Sequence, residues 1–344
     1  MSKLKLTLGA LALAAFTGAA TAQVQVTRHD ARRRVDITID GAPFTSYLWP
    51  ISLKKPVLFP LIASNGVTVT RGYPLEPREK ERVDHPHHAG MWFNYGNVNG
   101  FDFWNNSDAI PEPQRPKMGS IRQERIVSTR SGQDHGELTV DSVWTTGTGQ
   151  DILKQTTQYT FIKSGDNRIV DEVITLTALD KAVFKDDKEG LLGIRVAHFL
   201  ESPTEKGGTF MDSSGRPTKV TNNDSSGATG VYRTSEGIVG DKVWATRGTW
   251  CELTGNIGGK EVSIAMLDHK DNPGYPTYWH ARGYGLFAAN PLGDHIFDAK
   301  APEHDFTIEK GASTTFRYRL ILYAHEANTD EITTASALFQ GGGK

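Results

Sequence analysis

Apolar and polar residues alternate at every second position along most of this chain, a period that β-strands satisfy and helices do not. Val35, Ile37 and Ile39 fall on one side and Asp36, Thr38 and Asp40 on the other, with Gly41 ending the run. Similar runs follow at 121–129, 138–144, 156–162 and 169–176, cut by Ser131-Gly132, Gly147 to Gly149 and Gly165-Asp166. Asn65-Gly66 reads as a turn feeding a strand through Val67 and Val69. Further strands are predicted at 193–199, 250–253, 262–267, 285–289 and 314–323. On the first of these Arg195 and Ala197 share one face, with Ile194, Val196 and His198 on the other. No helical periods interleave with these strands, which excludes a parallel sheet wound with helices. The pattern predicts an all-β fold, a large antiparallel β-sandwich with a short C-terminal helix. In that helix Asn328 is the cap, Glu331 stands three residues on, and Ile332, Ala335, Leu338 and Phe339 recur at helical spacing. The Gly-, Ser- and Thr-rich stretch 201–230 reads as a long loop rather than a domain boundary.

Residues 1–22 read as a secretory signal. Lys3 and Lys5 start it, an apolar run follows, and Ala20-Thr21-Ala22 fits a small-x-small cleavage site. The remainder, 23–344, is read as one β-sandwich domain delivered to the periplasm or the medium. No later apolar run is long enough to cross a bilayer as a helix. Cys251 is the single cysteine, so no internal disulfide and no thiolate metal cluster can form, and beside Trp250 it reads as core. The whole chain carries 38 basic and 40 acidic residues, a net charge of −2 that becomes −4 once Lys3 and Lys5 are removed. An acidic chain without a basic tract is not built to neutralise phosphates, which argues against nucleic acid as a partner.

Two segments break the strand rhythm. Segment 71–104, RGYPLEPREKERVDHPHHAGMWFNYGNVNGFDFW, gathers three of the eleven histidines at His85, His87 and His88, with Trp92, Asn94, Asn99, Asp102 and Trp104. Segment 268–294 supplies Asp268, His269, Trp279, His280, Arg282 and Asn290, and Glu189 and Arg195 lie between the two. Imidazoles trade protons near neutral pH, flat aromatic faces suit sugar rings, and Arg and Asn bond hydroxyls. The mixture points to an enzyme acting on a small carbohydrate or glycoside: an epimerase, lyase or hydrolase. Its candidate catalytic residues are His85, His87, His88, Arg195 and His280. The candidate substrate-binding residues are Trp92, Asn94, Asn99, Asp102, Trp104, Glu189, Asp268, His269, Arg282 and Asn290. Tyr95 and Trp279 offer further aromatic faces.

An alternative is a divalent metal held by His85 and His87, which point the same way if the chain is extended, with Asp84, Asp102 or Asp268 as a carboxylate partner. That would make the protein a metal-dependent oxygenase or hydrolase. A third reading is a glycan-binding module without catalysis. All three require the two segments to converge on one pocket.

The motifs DHPHHAGMWFNYGNVNGFDFW, KEGLLGIRVA, DHKDNPGYPTYWHARGYGLFAANPLG and FRYRLILY resemble the bacterial PmoA-type domain family. The resemblance implies a β-sandwich of the galactose-mutarotase-like kind, a supersandwich, and a role near glycan breakdown. By position the family's motif residues fall on the candidates above. The label methane oxygenase attached to that family implies several membrane-spanning helices, which this sequence lacks.

Overall fold

A computed structural model describes residues 23–222 and 227–341, so the signal reading on 1–22 lies outside the described residues. Two eight-stranded sheets face one another. The first runs, edge to edge, Val24–His29, Arg34–Ile39, Ala42–Leu48, Val57–Leu58, Met91–Tyr95, Gly190–Arg195, Leu286–Asn290 and Tyr278–Arg282. The second runs Val231–Thr234, Trp250–Ile257, Lys260–Asp268, Ser313–Tyr323, Asn167–Ala178, Asp151–Ser164, His135–Thr146 and Gly119–Arg130. Neighbouring strands in both are antiparallel, as the alternation predicts.

The core lies between the sheets. Phe93 of the first sheet sits 6.4 Å from the Trp144 ring and 5.8 Å from Phe316 of the second, and Phe44 meets Phe161 edge-on at 6.2 Å. Cys251 is buried in that layer. The C-terminal helix is Thr329–Gln340, and the Asn328 side chain accepts from Glu331 N at 2.9 Å. Ile332 is buried, but Leu338 is 62% exposed and does not belong to the packed face.

Three local expectations change. The run after Asn65-Gly66 makes only isolated bridges, Ile62 to Thr68 and Thr70 to Val196. The stretch read as a loop holds a hairpin, Lys206–Met211 against Pro217–Asn222. The strand predicted at 193–199 is Gly190–Arg195, followed by a 3-10 turn at His198–Leu200, so Ala197 and His198 leave the sheet.

Candidate functional site

The site grows from the outer face of the first sheet, away from the sandwich core. Register places Trp92, Gly193, Ala288 and His280 in one row across four strands, and Arg195, Leu286 and Arg282 in the next. The row between these, Met91, Ile194, Phe287 and Ala281, belongs to the inter-sheet core. Trp92 and Trp104 close over Gly193. A Cβ built there would lie 2.8 Å from Trp92 Cζ2 and 3.1 Å from Trp104 Cη2, so only glycine admits the indoles. Gly90, at φ +61, turns the chain from the histidine segment into strand Met91–Tyr95, and a Cβ there would meet Leu58 O at 2.3 Å.

Asp84 is the hub of the polar cluster. Its Oδ1 accepts from Arg71 Nη1 at 2.7 Å and Arg195 Nη2 at 2.7 Å, and lies 3.2 Å from His85 Nδ1. Burial pushes this carboxyl up. The His85 contact and the charges of Arg195 and Arg71 outweigh burial and hold it well below the usual carboxylate range. Arg71 is itself buried and drops to about 9, through desolvation first and the like charge of Arg195 second. It also donates to the carbonyls of Arg82, His85 and His88, so one guanidinium staples the whole turn.

Above the cluster four rings stack in sequence. Tyr284 lies 5.3 Å from His85, His85 4.9 Å from His88, and His88 5.2 Å from Trp92, with interplanar angles of 5°, 5° and 17°. His88 is fully enclosed. Its Nε2 faces the Trp104 indole N–H at 3.2 Å and its Nδ1 faces Arg195 Nη1 at 3.2 Å. Both neighbours can only donate and a neutral imidazole accepts at one nitrogen, so one of the two contacts is a hydrogen bond, and both nitrogens are shut off from a substrate. Burial, then the His87 and Arg195 charges, keep the ring neutral, far below its ordinary pKa. His87 is likewise depressed, by burial and by Lys55, and its Nε2 is buried without a partner among the described residues.

His85 differs from its neighbours. Its side chain is 42% exposed, its Nδ1 is turned to Asp84, and its Nε2 is left for solvent or substrate. It borders a cleft of about 560 Å³ that also takes in Asp84, Arg82, Ser202, Thr204, Lys206, Asp241, Trp244, Arg282 and Tyr284. The Arg282 guanidinium lies 5.3 Å from the Trp244 ring and 5.9 Å from Tyr284, and Arg195 lies 4.9 Å from Tyr284. Burial pushes the Tyr284 phenol up, while the Arg195 charge draws it back. The two chain-distant segments therefore meet, through His85 on Tyr284.

The sequence matches the model of a family of unknown function, DUF6807, over residues 34–337. This chain belongs to that family. No curated protein matches it. Among solved structures it is similar to a GH36 α-galactosidase, AgaB, of Geobacillus stearothermophilus, at 11% identity over 88% of this chain and 41% of that one, TM-score 0.39. A galactose mutarotase-like protein from Clostridium acetobutylicum matches at 9% identity over 88% of this chain and 99% of that one, TM-score 0.41. The α-galactosidase from Lactobacillus brevis matches at 9% identity over 93% of this chain and 42% of that one, TM-score 0.41. The chain thus spans about two fifths of the α-galactosidases. This match reaches a family of unknown function and does not extend to a PmoA-type assignment.

Within this DUF6807 member several predicted site residues are buried and engaged by other groups of the protein. Arg195 is completely buried on Asp84 and His88 and positions them. His280 is buried, donates Nδ1 to Lys188 O at 2.9 Å, and is lowered to about 3 by desolvation and the nearby Lys188. Trp92 and Trp104 are closed under the histidines, while Tyr95 and Trp279 belong to the inter-sheet core, so none offers a free face to a ring. Asn94 holds Phe103 O at 2.7 Å, and Asp102 caps Trp104 N and Asn105 N. Asn99 ties its turn to Lys181 and Val183, and Asn290 holds Asp187 O. Glu189 pairs with Lys188 and stands 3.9 Å from His280 Nδ1. Asp268 and His269 lie elsewhere. Asp268 ends a strand of the second sheet and accepts from Asn272 and Thr277, and His269 packs on Phe339 of the C-terminal helix.

The metal reading also loses its geometry. His85 sits at φ +43, outside the extended region on which that reading relied; its ring centroid lies 5.6 Å from that of His87 with the planes at 79°, and the His87 Nε2 is buried. Among the described residues no three His, Cys, Asp or Glu side chains are grouped to hold an ion. What the sequence reading missed is Arg71, Arg82, Trp244 and Tyr284. Tyr284 stands two places after Arg282 in a quoted motif and could have been singled out, whereas nothing around Trp244 marks it.

Proposed function

We propose that this chain is an exported enzyme that acts on a sugar or glycoside, as an epimerase, lyase or hydrolase, with His85 as its acid–base group. The observation that carries this reading is the Asp84–His85 pair at the edge of the cleft. An imidazole whose Nδ1–H rests on an ionised carboxylate has one tautomer, with its lone pair on Nε2. Asp84, kept ionised by two guanidinium groups, stabilises the imidazolium that forms when Nε2 takes a proton. Ser202, Thr204 and Asp241 supply hydroxyl-binding groups, and the half-buried Tyr284 ring gives an apolar surface beside them. Export rests on the leader pattern of residues 1–22, and the PmoA-type resemblance of the motifs supports a glycan-related setting. Among the described residues no helix is long and apolar enough to cross a membrane.

The test is turnover of keto-sugars, glycosides and free aldoses, with and without divalent metal, by wild type and His85→Asn. Asparagine tolerates positive φ, so the variant is expected to melt within a few degrees of wild type while losing roughly 10²-fold or more in kcat/KM. Full activity in His85→Asn would reject His85 as the proton carrier. Saturable sugar binding with no product would make the protein a glycan-binding module.

A further inference from the structure

We infer that the cleft recognises an anionic sugar, a uronate-type carboxylate held by Arg282. This rests on the reading of the cleft as a carbohydrate site and adds the charge of its occupant. Among the described residues Arg282 makes no ion pair and no side-chain hydrogen bond, although it is half-buried. Its guanidinium is held at 5.3 Å from Trp244 and 5.9 Å from Tyr284. Aromatic rings this close restrict such a group while its N–H groups stay unpaired, a setting in which arginine can grip a carboxylate with two parallel hydrogen bonds.

The charge balance points the same way. Asp84 is already engaged by Arg71 and Arg195, and Arg82 donates to Glu201 Oε2 at 3.0 Å. Of the remaining charged groups lining the cleft, Lys206 and Arg282 are cations and Asp241 is the one anion, and among the described residues neither cation has an ion pair. A neutral guest leaves two cations facing one carboxylate. One carboxylate on the guest balances them, in a chain whose net charge is otherwise negative.

The test is binding rather than turnover, read by tryptophan emission and calorimetry on the full chain at low salt. D-Galacturonate and D-glucuronate are compared with D-galactose, D-glucose and galactose 1-phosphate. A uronate is expected to bind at least about tenfold more tightly than its neutral counterpart, a preference that 0.5 M salt weakens. Arg282→Gln is expected to erase that preference, weakening uronate binding at least about tenfold more than neutral-sugar binding, and Arg282→Lys to keep part of it. Equal binding of neutral sugar and uronate, tighter binding of the phosphate, or equal weakening of every ligand by Arg282→Gln would each overturn the inference. His85→Asn is expected to retain the uronate preference. Loss of catalysis in one variant and of charge selection in the other separates this inference from the acid–base reading.

Discussion

His85 occupies φ +43, a region that costs a non-glycine residue backbone energy, and the surrounding contacts hold it there. Arg71 binds the carbonyls of His85 and His88, Asp84 takes the ring nitrogen, and the rings of Tyr284 and His88 stack on it. Three histidines within four positions thus have three different fates. One reaches the cleft, one is enclosed with an unpartnered nitrogen, and one fills a slot between Trp104 and Arg195. Burial decides what substitution does. His88→Ala is expected to destabilise the protein by about 3 kcal/mol in urea titrations, because it opens a cavity and strands the buried donor that the neutral ring accepts from. A stability loss below about 1 kcal/mol would mean that the ring is not packed as described. Nothing in DHPHH ranks the three residues, since each has the same chemistry and only enclosure separates them.

At the scale of elements, two of the four strands that carry the site, Met91–Tyr95 and Tyr278–Arg282, escape the sequence pattern, whereas Gly190–Arg195 and Leu286–Asn290 overlap the strands predicted at 193–199 and 285–289. Met91–Tyr95, Gly190–Arg195 and Leu286–Asn290 are buried at every position, and Tyr278–Arg282 at all but its last. A strand covered on both faces has no reason to alternate, so Met91–Tyr95 within segment 71–104 and Tyr278–Arg282 within segment 268–294 carry no strand signal. The outer strands, wet on one face, were legible: Asn167–Ala178 and His135–Thr146 alternate almost without fault. Gly193→Ala tests how the indoles seat on the sheet. The added methyl would press on Trp92 and Trp104, and the cost is expected at about 1–3 kcal/mol with a shift in tryptophan emission. An unchanged spectrum and melting curve would show the indoles free to withdraw.

For the whole molecule, buried titratable groups set opposing limits on stability. His280 is lowered to about 3 by burial, so between pH 6.5 and 3 the unfolded chain binds a proton that the folded one refuses, and stability falls as pH falls. His87 and His88, also depressed, act in the same direction. Glu172, enclosed in the second sheet, is raised to about 8 by burial, and Asp268 to about 7. Between pH 4.5 and 8 the unfolded chain releases the Glu172 proton that the folded one keeps, so stability falls as pH rises. Each uncompensated proton changes stability by at most about 1.4 kcal/mol per pH unit. The melting temperature is therefore expected to pass through a maximum on the acid side of neutrality, and Glu172→Gln to flatten the alkaline limb alone. A melting temperature that climbs steadily to pH 8 in wild type would contradict this account.

The sequence by itself determined the strand-rich, antiparallel architecture, the capped terminal helix, the core position of Cys251 and the two segments where polar groups concentrate. These follow from periodicity and local hydrogen bonding, which act over a few neighbouring residues. Tertiary structure alone decided which polar groups meet: that Tyr284 stacks on His85, that Arg195 and His280 are enclosed, and that Asp268 and His269 lie under the C-terminal helix. Such choices depend on strand register and on which face of a sheet is covered, and those are settled by packing between residues far apart in the chain.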